Sequence, residues 1–372
     1  MPNASHALID PSELLTPCLL VYPDLIESNL KECIRIAGSV DRLRPHVKTH
    51  KTPEIVAMEL ALGITRHKCA TLAEAQMLAE CGVKDILIAY PQIGPAIARL
   101  ADITSQFPKT KFCICVESRD NAAAIDAHFR GRGLTIDAVV DVDVGMHRTG
   151  APSNPDALEL YQFIDQANAI RPTGLHAYDG HNHIGPIQQR EASVQSLLEP
   201  VRALVDQISA AGMACDKVVC GGTPTFPVFA KADIPGTRIE LSPGTCVLSD
   251  YGYTSKYTDM NGFQYAAILM TRVISKQHAG AVTLDLGHKA IAADPPAGGR
   301  CHFLDIEAHE GKQNEEHLVI ESATADSLQL GDVLYVVPTH ICPTVALHKE
   351  LHVVESGRVT KTWQVAARHR LY

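Results

Sequence analysis

A chain of 372 residues, 46% hydrophobic and 20% charged, has apolar content for a sizeable core and too few charges for wholesale disorder. Its net charge of -9 argues against a nucleic-acid partner, which would want a basic face, although a small anionic ligand stays open because local charge decides that. The opening MPNASHALIDPSELLTP lacks the basic start and apolar run of a secretion signal, and no stretch approaches the roughly 18 apolar residues of a membrane span. Membrane partners are therefore not expected. The 11 cysteines are odd in number and scattered, several of them in apolar runs (Cys113, Cys115, Cys220), so reduced, buried thiols and a cytoplasmic location are expected.

Taken in chain order, the first two thirds alternate short β-rich runs with helical periodicity. The candidate strands are CLLVY (18–22), LRPHVKT (43–49), HKCA (67–70), DILIAY (85–90), KFCICV (111–116), DAVVDVDV (137–144), GLHAYD (174–179), KVVCGG (217–222) and RIEL (238–241). Helical spacing is clearest at 52–63, 71–82 and 193–212, with Gly63, Gly82 and Gly212 placed as C-caps and Thr71 with Glu74 as a capping box. Continuous apolar strands separated by helices imply a parallel sheet covered on both faces. About eight such units point to a (β/α)8 TIM-like barrel over 17–246, with an open doubly wound sheet as the alternative. Beyond residue 246 the runs become short strands with tight turns. A β-domain is expected over 247–372, with residues 1–16 joining it, which makes the fold class α/β plus β.

In RPHVKTHK (44–51), Lys48 ends a candidate barrel strand, the end that opens onto a barrel's active site. Neighbouring positive charge and partial desolvation would make its amine a nucleophile, while a solvated basic loop fits the motif as well. CGGTPTF (220–226) and SPGT (242–245) are small-residue loops after consecutive strands, suited to an anion or to plain turns. VDVGMHRTG (142–150) and HAYDGHNH (176–183) bring Arg148, Tyr178, Asp179, His181 and His183 to the same end. In THICPT (339–344), His340 and Cys342 alternate along an apparent strand, which would turn both side chains to one side. Imidazole and thiolate suit zinc, but two ligands do not complete a site.

RPHVKTHK, VDVGMHRTG, AYDG, CGGT, ELSPG, LDLGHK, EEH and PTHICPT, in this order and spacing, resemble the D-threonine aldolase and D-serine dehydratase family of alanine-racemase-like, fold type III pyridoxal-phosphate enzymes. The likeness runs from about LLTPCLLV to TWQV. It implies that Lys48 is the Schiff-base lysine and that Gly221, Gly222, Thr223, Gly244 and Thr245 cradle the phosphate. Arg148 and Tyr178 would contact the ring, and His340 and Cys342 would bind a divalent metal (Mn, Mg or Zn) beside the cofactor. His181 or His183 would be the base. The implied reaction is aldolase cleavage of a D-3-hydroxy amino acid to glycine and an aldehyde. Zinc-dependent dehydration of D-serine or D-3-hydroxyaspartate is the alternative, because Cys342 stands where aldolases of this kind usually carry aspartate. A racemase and a non-catalytic pyridoxal-phosphate-binding protein are further readings. The expected partners are an amino-acid substrate and a second copy of the chain.

Overall fold

The computed structural model describes residues 6–152 and 154–370. The chain divides into two compact units, one of Met1–Glu32, Thr49–Ile55 and Thr245–Arg368, the other of Cys33–Lys48, Val56–Gly244 and His369–Tyr372.

In chain order, β1 (Cys18–Val21) and helices α1 (Pro23–Ala37) and α2 (Pro53–Ala61) precede a run of strands and helices that builds the parallel unit. Its strands are β2 (Arg66–Cys69), β3 (Asp85–Ile88), β4 (Lys111–Val116), β5 (Ile136–Asp141), β6 (Ile170–Ala177), β7 (Lys217–Cys220) and β8 (Arg238–Leu241). All seven pair in parallel and in strict chain order. The connecting helices are α3 (Leu72–Glu80), α4 (Pro95–Gln106), α5 (Arg119–Gly131), α6 (Asn154–Asp165), α7 (Ile187–Ala210) and the short α8 (Phe226–Phe229). The α3 cap forms as its sequence requires: Thr71 Oγ1 accepts from Glu74 N, and Glu74 in turn accepts from Ala70 N. Leu87, Cys113, Cys115, Val139 and Val219 form one buried cluster; Cys113 and Cys115 are the alternate residues that β4 sends to it.

Residues 43–47 run between the two edges of the sheet and complete the barrel. Leu43 bridges Leu241 of β8, and His46 bridges Lys68 of β2, both in parallel. Arg44 N donates to Leu241 O, and Val47 N to Lys68 O. The strand expected at 43–49 is thus a stave of isolated bridges, because Pro45 offers no N–H to a regular ladder and the chain turns at Lys48.

Arg44 is wholly buried in this stave. Its Nε lies 2.5 Å from Glu240 Oε2 and its Nη1 2.9 Å from Asp85 Oδ1. Burial works against the charge, but the two carboxylates outweigh it and hold the guanidinium more basic than usual. Arg44 therefore pins the closing stave to β3 and β8 and does not serve the barrel mouth. Arg44→Met should lower unfolding stability by about 3 kcal/mol, the low end for removing one partner of a buried ion pair, because Arg238 still neutralises Glu240 at 2.6 Å. Denaturant unfolding checks this; an unchanged midpoint would refute it.

The other unit is built on a nine-stranded sheet. Its strands are β1, β9 (Ala267–His278), β10 (Ala281–Leu284), β11 (Cys301–Phe303), β12 (His309–Gln313), β13 (Leu318–Glu321), β14 (Val333–Pro338), β15 (Glu350–Glu355) and β16 (Arg358–Gln364). CLLVY is therefore not a barrel strand. β1 pairs antiparallel with β9 (Leu20 opposite Ile268) and parallel with β15, because a short run buried on both faces carries no mark of which sheet it joins. β12 carries no strand signal in the sequence, because HEGKQ has no apolar alternation. Of residues 1–16, expected to join this unit, 1–5 lie outside the described residues. Leu8 N donates to the Tyr335 hydroxyl, and Ile9 N to Gly357 O. Among the described residues no helix is long and apolar enough to cross a membrane. None of the 11 cysteines is in a disulfide.

Candidate active site

Lys48 is half-buried where the closing stave ends, and its N–H donates to His46 Nδ1 at 3.3 Å. It lines a cavity of about 330 Å³ at the carboxyl ends of the strands. Lys68, Arg148, Thr149, His176 and Tyr178 share the wall with it. Arg148 and Tyr178, both expected here from sequence, are thus brought together with Lys48. The Arg148 guanidinium carbon is 5.3 Å from the centre of the Tyr178 ring. The loop carrying Arg148 is shaped by Asp143, whose Oδ1 accepts from Gly145 N and His147 N.

The glycine pair does two jobs. Gly221 has φ +69°, and a Cβ there would come 3.0 Å from Phe226 Cα and 3.1 Å from the Phe229 ring, so only glycine fits the turn. A Cβ at Gly222 would meet the Tyr178 ring at 3.2 Å, so bare backbone lets the ring lie against this loop. Thr223 Oγ1 accepts from Gly244 N, tying the two small-residue loops together. Thr225 donates to Asp179, whose carboxyl burial raises to about 6. Asp179 is thus fixed to the loop and is not among the residues lining the cavity just described.

His181 and His183 are both exposed. His181 lines a different hollow, with Asp143, Asn154 and Ser193, and packs over Gly145. The structure does not bring these two histidines to the Lys48 cavity, because the chain turns outward after Asp179 (Asn182 N donates to Asp179 O).

What the sequence reading missed is an ordered line across three strands. Lys68 of β2 is 1% exposed, and its Nζ lies 3.5 Å from His176 Nε2. His176 Nδ1 lies 2.6 Å from Asp141 Oδ1, and Asp141 Oδ2 accepts from the Thr149 hydroxyl. Burial pushes the His176 imidazole below its usual range, more than Asp141 raises it. Burial also opposes the Asp141 charge, but His176, Thr149 and Arg148 outweigh that and keep it ionised. The contact is accordingly a neutral imidazole on a carboxylate rather than an ion pair. The signal in the sequence was RHKC, three basic residues in a strand whose last three positions are buried.

Cys115 joins Asp141 and His176 to make a group of potential metal donors within 4.8 Å of one another. Their chemistry argues against an ion there. Burial drives the Cys115 thiol far up, so it stays protonated; His176 Nδ1 is committed to Asp141; and the Lys68 amine stands at Nε2.

In the β-rich unit, His340 and Cys342 do not alternate on a strand. His340 is the N-cap residue of a short helix, Ile341–Leu347, and Cys342 lies in its first turn. Cys342 Sγ is 3.1 Å from Thr49 Oγ1 and 3.3 Å from Thr245 Oγ1, so the Thr245 hydroxyl faces the thiol. His340 Nδ1 lies 2.5 Å from Asp294 Oδ2. Burial alone would lower the His340 pKa, but Cys342 and Asp294 push it up to about 9. The buried Asp250 carboxyl, raised to about 6 by desolvation, accepts from Ile341 N and fixes the start of this helix.

The alanine racemase N-terminal domain matches residues 21–247, and a serine dehydratase domain matches residues 266–354. A D-threonine aldolase of Arthrobacter sp is 31% identical, over 95% of this chain and 92% of that protein. A 3-hydroxy-D-aspartate aldolase of Paracoccus denitrificans is 29% identical, over 98% and 95%. The crystal structure of D-threonine aldolase from Filomicrobium marinum superposes with a TM-score of 0.87 at 27% identity, covering 95% of each chain.

Proposed function

This chain belongs to the alanine racemase N-terminal domain family and is a carbon–carbon lyase of the D-threonine aldolase kind, and we propose that it uses pyridoxal phosphate, bound at Lys48, and a divalent metal to cleave D-3-hydroxy amino acids to glycine and an aldehyde. The observation that carries the proposal is Lys48 on the wall of a strand-end cavity with Arg148 and Tyr178, in a chain matched end to end by aldolases.

The residues present fit the cofactor. The cavity offers an amine at Lys48, and Tyr178 and His176 present roughly parallel ring planes, 18° apart, to a flat ligand. The Gly221–Gly222 turn, with Thr223 and Gly244, would hold the phosphate through backbone N–H groups. Arg148 would pair with the ring oxygen or the substrate carboxylate. When bound, the cofactor supplies an electron sink for the pair released from Cα–Cβ cleavage. His340 and Cys342 suit a divalent ion, and Asp294 on the other ring nitrogen of His340 is the kind of partner that orients a metal-binding histidine. Such an ion supplies Lewis acidity toward the substrate hydroxyl. Eleven cysteines outside any disulfide support a reducing, cytoplasmic setting. A homodimer, without nucleic-acid or membrane partners, completes the reading.

Dehydration remains the second reading, favoured by the Cys342 thiol and by the serine dehydratase match over residues 266–354. Incubation with D-threonine, D-3-hydroxyaspartate and D-serine decides between them. Glycine plus aldehyde is the expected product, with little action on the L-forms. Keto acid and ammonia without glycine would refute the aldolase reading.

A further inference from the structure

Lys68 is a buried lysine with no acid of its own. Among the described residues, the only polar atom within hydrogen-bonding reach of its amine is His176 Nε2, at 3.5 Å. An ammonium has three donors and an amine has a lone pair, so the remainder of this group's bonding capacity is directed at the cavity it lines with Lys48. The amine also stands 5.2 Å from the centre of the Tyr178 ring.

The line behind it fixes its chemistry. Because Asp141 is ionised and holds His176 Nδ1, the ring proton sits on Nδ1, and Nε2 turns its lone pair to Lys68. His176 therefore accepts one Lys68 proton and orients the amine, as a histidine backed by an aspartate orients a nucleophile. His176 itself, with both nitrogens committed, is not free to reach substrate. The exposed His181 and His183 are not among the residues lining this cavity, and His46, which does line it, receives the Lys48 N–H at Nδ1; beside them the wall holds the Lys68 amine, poised for proton transfer.

We propose that Lys68 is a second catalytic residue of this site, the group that takes the proton of the substrate's 3-hydroxyl as the Cα–Cβ bond breaks and returns it to Cα. This rests on the lyase reading above. The O–H electron pair becomes the second bond of the aldehyde carbonyl, and the Cα–Cβ pair passes to Cα. The proton held by Lys68 then completes glycine, so no proton is gained or lost overall.

Burial first, then the charge of Lys48, press the Lys68 pKa down from its usual value to about 8; Cys115 of β4, Cys220 of β7 and Asp141 of β5 pull the other way. His176 of β6 faces it as a neutral ring, and Arg148 lies over the same tyrosine ring. A base acts in its unprotonated form. The competent fraction therefore rises with pH through about 8, and kcat/KM should fall as pH drops below that value.

The test uses the holoenzyme. Lys68→Met keeps the side-chain volume and removes the amine. Its long-wavelength cofactor absorbance should persist, and the borohydride-reducible bond should still map to Lys48. Glycine release should fall by about 10²-fold or more, the usual worth of a general base, and the rising limb near pH 8 should vanish. In Lys68→Ala, added methylamine should restore turnover, and amines of higher basicity should restore it faster. Lys68→Arg keeps the charge without a free base, so an active Lys68→Arg would overturn the role, as would Lys68→Met within about threefold of wild type. A reducible bond mapped to Lys68, or a wild-type kcat/KM flat between about pH 7 and 9, would also overturn it, the latter without any variant. A wild type that releases no aldehyde sinks the lyase reading and this role together; an active wild type beside an equally active Lys68→Met sinks this role alone.

Discussion

Replacing Lys48 with alanine is expected to abolish both turnover and the borohydride-reducible, long-wavelength absorbance of the bound cofactor. The expectation rests on position. Lys48 ends the stave that closes the barrel, and its side chain lines the strand-end cavity. The other lysines have different surroundings. Lys289 is an exposed residue of the β-rich unit, paired with Glu315 and Glu316 at 2.6 and 3.1 Å, and its pKa is raised by those carboxylates, which disfavours a nucleophilic amine. Lys68 shares the cavity but is engaged with His176, so it is the real competitor. Peptide mapping after reduction separates the two. A modified peptide containing Lys48 is the expected result; one containing Lys68 or Lys51 would refute the assignment. Fold loss is not the expected cause of inactivity, because Lys48 contributes only its backbone N–H to His46.

Removal of the divalent ion should lower turnover by roughly 10³-fold, corresponding to several kcal/mol of charge stabilisation, while the cofactor absorbance stays. His340→Ala and Cys342→Ala should reproduce the loss. The His340 surroundings set the sign of its pH dependence. Cys342 and Asp294 hold the imidazole proton up to a pKa of about 9, against burial, and that proton competes with a metal for the imidazole. Metal should therefore bind more weakly as pH falls. Because sulfur is a soft ligand, Zn²⁺ should restore the chelated enzyme at lower concentration than Mg²⁺. Full activity in protein verified as metal-free would refute the role of the pair.

The sequence determined the alternation of strands and helices because that signal is local. Apolar runs such as KFCICV, glycines past helix ends and the Thr71–Glu74 cap are all written within a few residues of the element they specify. It also carried the strand-end motifs, so Lys48, Arg148 and Tyr178 could be named before their shared cavity was seen. Tertiary structure decided what depends on partners far along the chain. CLLVY reads the same in either sheet, and only pairing with β9 and β15 fixes its place. THICPT reads as a strand by alternation, yet the chain breaks after Pro338 and restarts as a helix with His340 as its N-cap residue and Pro343 in the first turn, where proline's missing N–H costs nothing. The Lys68–His176–Asp141 line joins residues more than 30 positions apart that no spacing rule connects. It exists because closing a parallel barrel turns side chains of strands far apart in the chain toward one interior, where, among the described residues, the buried amine has His176 Nε2 as its one hydrogen-bonding partner.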